Sequence, residues 1–479
     1  MTGLRKQTII SVIWNGIQRF SNQGLQFVVS IILARLLAPT QFGLIAMVNV
    51  FTGISYTLID GGFSTYLIQK KNATSKDFST SFYLNIGIAI IIYIILFFTA
   101  PYFAAFYNEP RVTLIMRVFL LIMVFQSAQI AHYAYLKKNM NFRFISIVNV
   151  IAVIISSILG ISMAYSGYGI WSLVIPGIIS TCMSTIIFWV KSDWKIVKPD
   201  NLKTLLGLLK FGSKFTLANL LSRLTLSLYT VAIGRLFSSE ILGYYNQANK
   251  LQALPVKNMS IVLRTVSFPV FSKLKNDLQA LQRAFRKFIV VSSAVLFPIL
   301  VGLFVTAEAF VEVILTEKWL PMVPYLKILC IAGIFNPLSS YNLNLIVSDG
   351  KSGLYLVLEV IRAVLVVAAI LLTFQLDIFY LLWGQVVAYS IFYSIVSEVG
   401  GKNINYGFIK QVRDLAPYFI SSIVMGFVVY AASSIGVNLV LELIVSIIFG
   451  VITYFLILYI FKLEAINEFL ALLKIRKNG

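Results

Sequence analysis

Lys250, Lys257 and Arg264 stand seven residues apart in a stretch, 241–271, that is otherwise largely apolar and contains no Asp or Glu. A spacing of seven keeps three side chains near one face of a helix, and Asn246 extends that face at one end. Within 207–236, Asn219, Arg223, Ser227 and Thr230 share a face in the same way. Within 8–36 the same holds for Asn15, Arg19, Asn22 and Gln26, broadened by Gln18 and Gln23. A cation held in hydrocarbon costs at least about 2.5–3.5 kcal/mol on insertion scales, so it faces a watery cavity or a partner. The chemistry these residues suit is capture of an anion inside a membrane. A second reading stays open for each group: amides bond helix to helix, and Lys250 and Arg264 pair with acids of other helices. Lys210 and Lys214 lie nearer the end of their stretch, where snorkelling to the interface is the plain alternative.

Other ionisable residues carry weaker signals. Glu359 and Arg362 are three apart and can pair across one helical turn; they read either as charge neutralisation or as a protonatable switch. Asp60, just before Gly61 and Gly62, reads as a site for a coupling cation or as a cap on a bent backbone. Arg35 and Arg235 lie near helix ends, where a cation meets the negative end of the dipole, and read as structural. His132, the one histidine, reads as interfacial. Cys182 and Cys330 fall in apolar runs, which argues against a disulfide framework or a metal cluster. There is no phosphate-binding loop motif and no Ser-His-Asp arrangement, so neither ATP drive nor catalysis is expected.

The elements that must position these residues follow from composition. The 479 residues are 59% hydrophobic and 12% charged, against about 25% charged in soluble domains, with a mean hydropathy of +0.88. That excludes an ordinary soluble protein and predicts an all-α polytopic membrane protein. The net charge of +21 sits mostly in short loops, with no soluble basic domain to grip nucleic acid. Arg5 and Lys6 lead into a long span without a small-residue cleavage site, so no removable signal peptide is expected.

Cutting at charges, Gly, Pro and Asn clusters yields about fourteen spans. They are 8–36, 41–68, 79–105, 112–135, 144–165, 169–190, 207–236, 241–271, 288–313, 321–347, 354–374, 378–398, 415–434 and 438–461. Alternate loops hold Lys70, Lys71 and Lys76, then Lys137, Lys138 and Arg143, then Lys191, Lys195, Lys198 and Lys203. The series continues with Lys273, Lys275, Arg283, Arg286 and Lys287, then Lys351, then Lys402, Lys410 and Arg413. The intervening loops hold only Arg111 and Lys318 beside Glu109, Glu317 and Asp377. The positive-inside rule makes the basic side cytoplasmic and puts both termini there. The tail 462–479 mixes apolar and charged residues and reads as an amphipathic helix on the inner leaflet.

The chain also repeats. Ile32-Leu33-Ala34-Arg35-Leu36-Leu37 precedes Pro39, Phe42 and Gly43; Ala232-Ile233-Gly234-Arg235-Leu236-Phe237 precedes Ser239, Leu242 and Gly243. The copies fall between spans one and two and between spans seven and eight, so they run in the same direction. The expected organisation is an N-lobe, 1–206, and a C-lobe, 207–402, parallel six-helix repeats around a central cationic cavity, then two further helices within 403–461. Such repeats rock between inward- and outward-open states.

Leu33-Ala34-Arg35-Leu36-Leu37-Ala38-Pro39 with Phe42-Gly43, then Gly61-Gly62-Phe63 leading to Ile68-Gln69-Lys70-Lys71, resembles the WzxC-type polysaccharide flippases. So does Gly234-Arg235-Leu236 with Leu242-Gly243-Tyr244-Tyr245-Asn246 and Ala248, then Pro255 and Pro269-Val270-Phe271-Ser272-Lys273-Leu274, and Glu317-Lys318-Trp319-Leu320-Pro321. The resemblance extends over most of the chain and weakens after about residue 400. It implies the multidrug/oligosaccharidyl-lipid/polysaccharide exporter superfamily, and a cargo of undecaprenyl-diphosphate-linked oligosaccharide moved from the cytoplasmic to the periplasmic leaflet of the bacterial inner membrane. Arg19, Arg223, Lys250, Lys257 and Arg264 are then the expected diphosphate ligands, since arginine grips phosphate bidentately and lysine adds a point charge. Asn15, Asn22, Gln26 and Asn219 are the expected polar lining; Asp60, Glu359 and Arg362 are the candidates for coupling to H+ or Na+. No cofactor is expected. The expected partners are the lipid-linked oligosaccharide, membrane lipids and other polysaccharide-assembly proteins. A multidrug or cation antiporter of the same superfamily would want acids in the cavity. A polymerase or ligase would want a large outer loop, and a scaffold would not need buried cations.

Overall fold

The computed structural model describes residues 23–198, 202–274, 276–433 and 438–466, and among these no strand occurs. Hydrocarbon offers backbone groups no partner, so a long apolar segment satisfies them within itself as a helix. In order the helices are α1 (Gln23–Leu36), α2 (Pro39–Asp60), α3 (Phe63–Gln69), α4 (Ser75–Tyr107), α5 (Arg111–Phe119), α6 (Leu121–Lys138), α7 (Phe142–Tyr165) and α8 (Trp171–Lys191). They continue with α9 (Leu202–Leu236), α10 (Ser239–Leu274), α11 (Leu278–Val305), α12 (Ala307–Leu315) and α13 (Val323–Ser348). The last are α14 (Ser352–Thr373), α15 (Ile378–Gly401), α16 (Phe408–Ser433) and α17 (Leu439–Ile460).

Eleven stretches among the described residues are helical, long and apolar enough to cross a membrane. Expected spans one, seven and eight fall on α1, a shorter apolar helix, and on α9 and α10, which run for 35 and 36 residues. The architecture is that of an all-α polytopic membrane protein.

The chain divides into two compact units between Gly243 and Tyr244, just after the first turn of α10. In the first unit α2 packs against α9, α4 against α6, and α7 against α8. In the second, α13 packs against α15, α11 against α16, and α16 against α17. Helix α9, expected to open the C-lobe, packs with α2, α3 and α4 of the first unit.

Several span limits shift for identifiable reasons. Span two breaks after Asp60, where Gly61 and Gly62 take left-handed φ angles of 53° and 73° that favour glycine. Span four breaks at Leu120, between α5 and α6. Helix α11 starts at Leu278 because the Asp277 carboxylate accepts the Ala280 N–H at 2.9 Å. Arg283, Arg286 and Lys287, expected in a loop, therefore lie in its first turns.

Two prolines explain polar groups that the spacing alone did not. Pro101 inside α4 leaves the Phe97 carbonyl without its helical donor. Arg117 of α5 supplies one, Nε to Phe97 O at 3.2 Å, with its guanidinium carbon 4.5 Å from the Phe97 ring centroid. Pro298 inside α11 likewise frees the Ala294 carbonyl, and the Tyr454 hydroxyl of α17 donates to it at 2.8 Å.

Basic loop residues also hold helix ends. Lys138 donates to the carbonyls of Leu67, at 3.0 Å, and Lys70, closing the C-terminus of α3. Asp77 accepts from the Thr74 N–H at 2.8 Å in a capping box and pairs with Lys70 at 2.8 Å. In the second unit Arg286 bonds both Asp414 and Glu464 at 2.7 Å, and the Ala465 N–H donates to the Tyr418 hydroxyl at 3.3 Å. The tail thus begins packed on α11 and α16, with Ala465 and Ile466 buried. Its remainder, 467–479, lies outside the described residues.

Candidate functional site

Helix α2 presents Asn49, Thr52, Gly53, Tyr56, Thr57 and Asp60 at offsets 0, 3, 4, 7, 8 and 11, one continuous helical face. Helix α9 presents Thr216, Asn219, Ser222, Arg223 and Leu226 in the same manner, and α6 adds Ile122 and Gln126. These faces enclose a cavity of about 600 Å³ within the first unit. Asn49 to Asp60 covers about 16 Å of α2 at 1.5 Å per residue, in the half of the helix that leads to α3 and the Lys70–Lys71 loop.

The charge at this site is specific. Arg223 is exposed to the cavity, and among the described residues no carboxylate pairs with its guanidinium. The guanidinium rests on the backbone of α2: a Cβ built on Gly53 would stand 2.5–2.9 Å from three of its atoms. The Thr52 hydroxyl is spent on Asn49 O at 2.9 Å and that of Thr57 on Gly53 O at 3.0 Å. The amides of Asn49, Gln126 and Asn219, with Arg223, therefore remain as donors toward the space. Asp60 closes the other end; its Oδ1 accepts the Ser64 hydroxyl at 2.6 Å. The arrangement can hold an anion at Arg223, bonded by flanking amides, with one carboxylate on the same wall. The functional α2 face was missed by sequence reasoning apart from Asp60; its signal was the helical recurrence of Asn49, Thr52, Tyr56 and Thr57.

The remaining expected residues are distributed as follows. Asn15, Arg19 and Asn22 lie outside the described residues, and Gln26 is exposed on α1. Ser227 and Thr230 continue the same face of α9 but are not among the residues that line the cavity. Lys250 and Lys257 belong to the second unit, on α10, near enough for their charges to repel, and the side chain of Arg264 is outside what is described. Glu359 and Arg362 pair at 2.5 Å on α14, with the Glu359 side chain 2% exposed, and are not part of this cavity. Arg235 lies at the α9 end with its guanidinium carbon 5.4 Å from the Phe106 ring centroid.

His132 corrects an expectation. Rather than interfacial it is buried, with its ring 4.6 Å from that of Trp194 and 5.9 Å from that of Trp189. Trp194 comes from the segment after α8, which folds back so that its Nε1 donates to Ser75 O at 3.3 Å and Val197 N donates to Ser79 Oγ at 3.0 Å. That segment covers His132 toward the end of α6. Among the described residues no group of His, Cys, Asp and Glu could hold a metal ion.

Comparison with known proteins gives this site its context. The teichuronic acid biosynthesis protein TuaB of Bacillus subtilis (strain 168) is 26% identical over 454 residues, covering 92% of this chain and 91% of that protein. The lipopolysaccharide biosynthesis protein WzxC of Escherichia coli (strain K12) is 25% identical over 380 residues, 78% of this chain and 76% of that one. Among solved structures, the lipid II flippase MurJ in its inward closed conformation shares the fold, with a TM-score of 0.78 at 14% identity over 94% of this chain and 98% of that one. A family model described as polysaccharide biosynthesis protein matches residues 32–324, and the chain belongs to that family.

Proposed function

We propose that this protein is a flippase of the bacterial inner membrane. It carries a polyprenyl-diphosphate-linked oligosaccharide from the cytoplasmic to the outer leaflet by alternating access, for assembly of a cell-surface polysaccharide. The observation that carries this reading is Arg223, an arginine without a carboxylate partner among the described residues, set in a polar cavity between otherwise apolar helices. Family membership and the fold shared with a lipid II flippase support it. Arg223 captures the diphosphate and Asn219 and Gln126 bond its oxygens; Lys250, Lys257 and Arg264 of the second unit are further candidate ligands for a diphosphate. Both termini face the cytoplasm. Asp60 binds the coupling ion, H+ or Na+. The Glu359–Arg362 pair neutralises itself and fits that role less well.

The test is leaflet-to-leaflet transfer of a polyprenyl-diphosphate oligosaccharide in liposomes. Wild type should transfer it, and Arg223→Ala should lower the rate at least about ten-fold, the scale of one lost charge-assisted contact. An inactive wild type with several such lipids, or an Arg223→Ala variant that matches it, overturns the proposal.

A further inference from the structure

We propose that Gly53 is the positioning residue for Arg223, a role that rests on the anion-binding reading of the cavity. Glycine is the poorest helix former apart from proline, yet Gly53 sits inside α2 with fourteen helical residues before it and seven after it. Its backbone gives no reason for the choice: unlike Gly61 and Gly62, it is not among the positive-φ glycines. What the missing side chain provides is room. The three nearest heavy atoms to a Cβ built there are Arg223 NH2 at 2.5 Å, Nε at 2.6 Å and Cζ at 2.9 Å.

The guanidinium is seated by shape rather than by a bond to that residue. The Gly53 carbonyl already accepts the Thr57 hydroxyl at 3.0 Å, and no bond from Arg223 to α2 is found among the described residues. Both nitrogens stand closer to position 53 than Cζ does, so the guanidinium turns its Nε–NH2 edge toward the helix, inside the cavity that Asn219 and Asn49 also line. A methyl at position 53 needs ordinary contact of 3.4–4 Å, so the guanidinium must withdraw by about an ångström. A displacement of that size at a binding group costs up to about a hundred-fold in function.

The experiment measures the Kd of farnesyl diphosphate for the full chain in lipid nanodiscs, by calorimetry, in a double-mutant cycle. Gly53→Ala should raise Kd about ten-fold. Arg223→Ala should raise it at least as far, and Gly53→Ala combined with Arg223→Ala should match Arg223→Ala alone. If Gly53→Ala leaves Kd within two-fold of wild type while Arg223→Ala raises it, or if the two effects multiply, this role for Gly53 is wrong and the anion site stands. If Arg223→Ala itself leaves Kd unchanged, the anion site fails and this inference with it. Should Gly53→Ala not fold, adding Arg223→Ala removes the clashing group and must restore a monodisperse protein; a double variant that also fails to fold overturns the proposal.

Discussion

Gly43 and Gly243 meet backbone to backbone, although 200 positions separate them in the chain. A Cβ on Gly43 would overlap the Ser239 carbonyl oxygen and stand 3.1 Å from Gly243 N; one on Gly243 would overlap the Pro39 carbonyl oxygen and stand 3.3 Å from Gly43 N. They are the equivalent glycines of the internal repeat, each in the first turns of the helix after an Arg-Leu corner. Helices α1 and α9 end at Leu36 and Leu236, and α2 and α10 begin at Pro39 and Ser239, the same offset throughout. Ser239 also donates to Glu109 at 2.6 Å, tying the start of α10 to the α4–α5 turn.

Neither backbone can rotate away from the other, so Gly43→Ala and Gly243→Ala should each destabilise by about 1–3 kcal/mol or more, the cost of overpacking. The measurement is the Tm by fluorescence-detected size exclusion. Because both methyls strain one contact, the double variant should fall short of the sum. Gly87→Ala, which meets nothing within 4 Å, is the control and should melt at or slightly above wild type. A Gly43→Ala protein that melts with wild type would mean the contact yields freely.

Asp60 carries two readings that one substitution separates. Asp60→Asn keeps an oxygen that accepts the Ser64 hydroxyl, now at 2.6 Å, so the break after α2 should survive and Tm should change by less than about 1 kcal/mol equivalent. Removal of the charge should abolish the response of leaflet transfer to an imposed pH or Na+ gradient. Retained gradient response in a folded Asp60→Asn protein would leave Asp60 as a cap alone.

What the sequence made legible, and what it hid, follows from which signals are periodic. Charge is sparse in apolar spans, so Arg223 stood out, and its face of α9 was found through Asn219 four residues earlier. The opposite wall was hidden because Thr52, Gly53 and Thr57 are ordinary in membrane helices, where small residues usually signal packing. Their role depends on which helix faces them, and periodicity within one segment carries no such information. His132 was misread for the same reason: its cover comes from Trp194, sixty-two positions away. Arg117 attracted no expectation, since its partner is a carbonyl freed by a proline one helix earlier.

The Glu359–Arg362 pair should behave as a neutral unit. Arg362→Met alone leaves Glu359 buried without its partner and should cost about 3–5 kcal/mol, whereas Glu359→Gln with Arg362→Met should recover most of that loss. Leaflet transfer should persist in the double variant and keep its gradient response. Loss of that response, in a protein with wild-type Tm, would instead make this pair the coupling site.

Arg117 and Pro101 form the sharpest structural test, because the carbonyl between them can be satisfied in two ways. Arg117→Leu leaves Phe97 O unpaired in an apolar setting and should destabilise by about 1–3 kcal/mol. Pro101→Ala restores the amide donor of an unbroken helix, so in the Arg117→Leu background it should recover the Tm. Tyr454→Phe and Pro298→Ala form the same cycle around Ala294 O in the second unit. A Pro101→Ala change that fails to rescue Arg117→Leu would show that Arg117 acts through its contact with the Phe97 ring, and Phe97→Leu should then reproduce the loss in both backgrounds. The predicted rescue depends only on the count of donors and acceptors along α4, which makes it independent of the cargo and of the coupling ion.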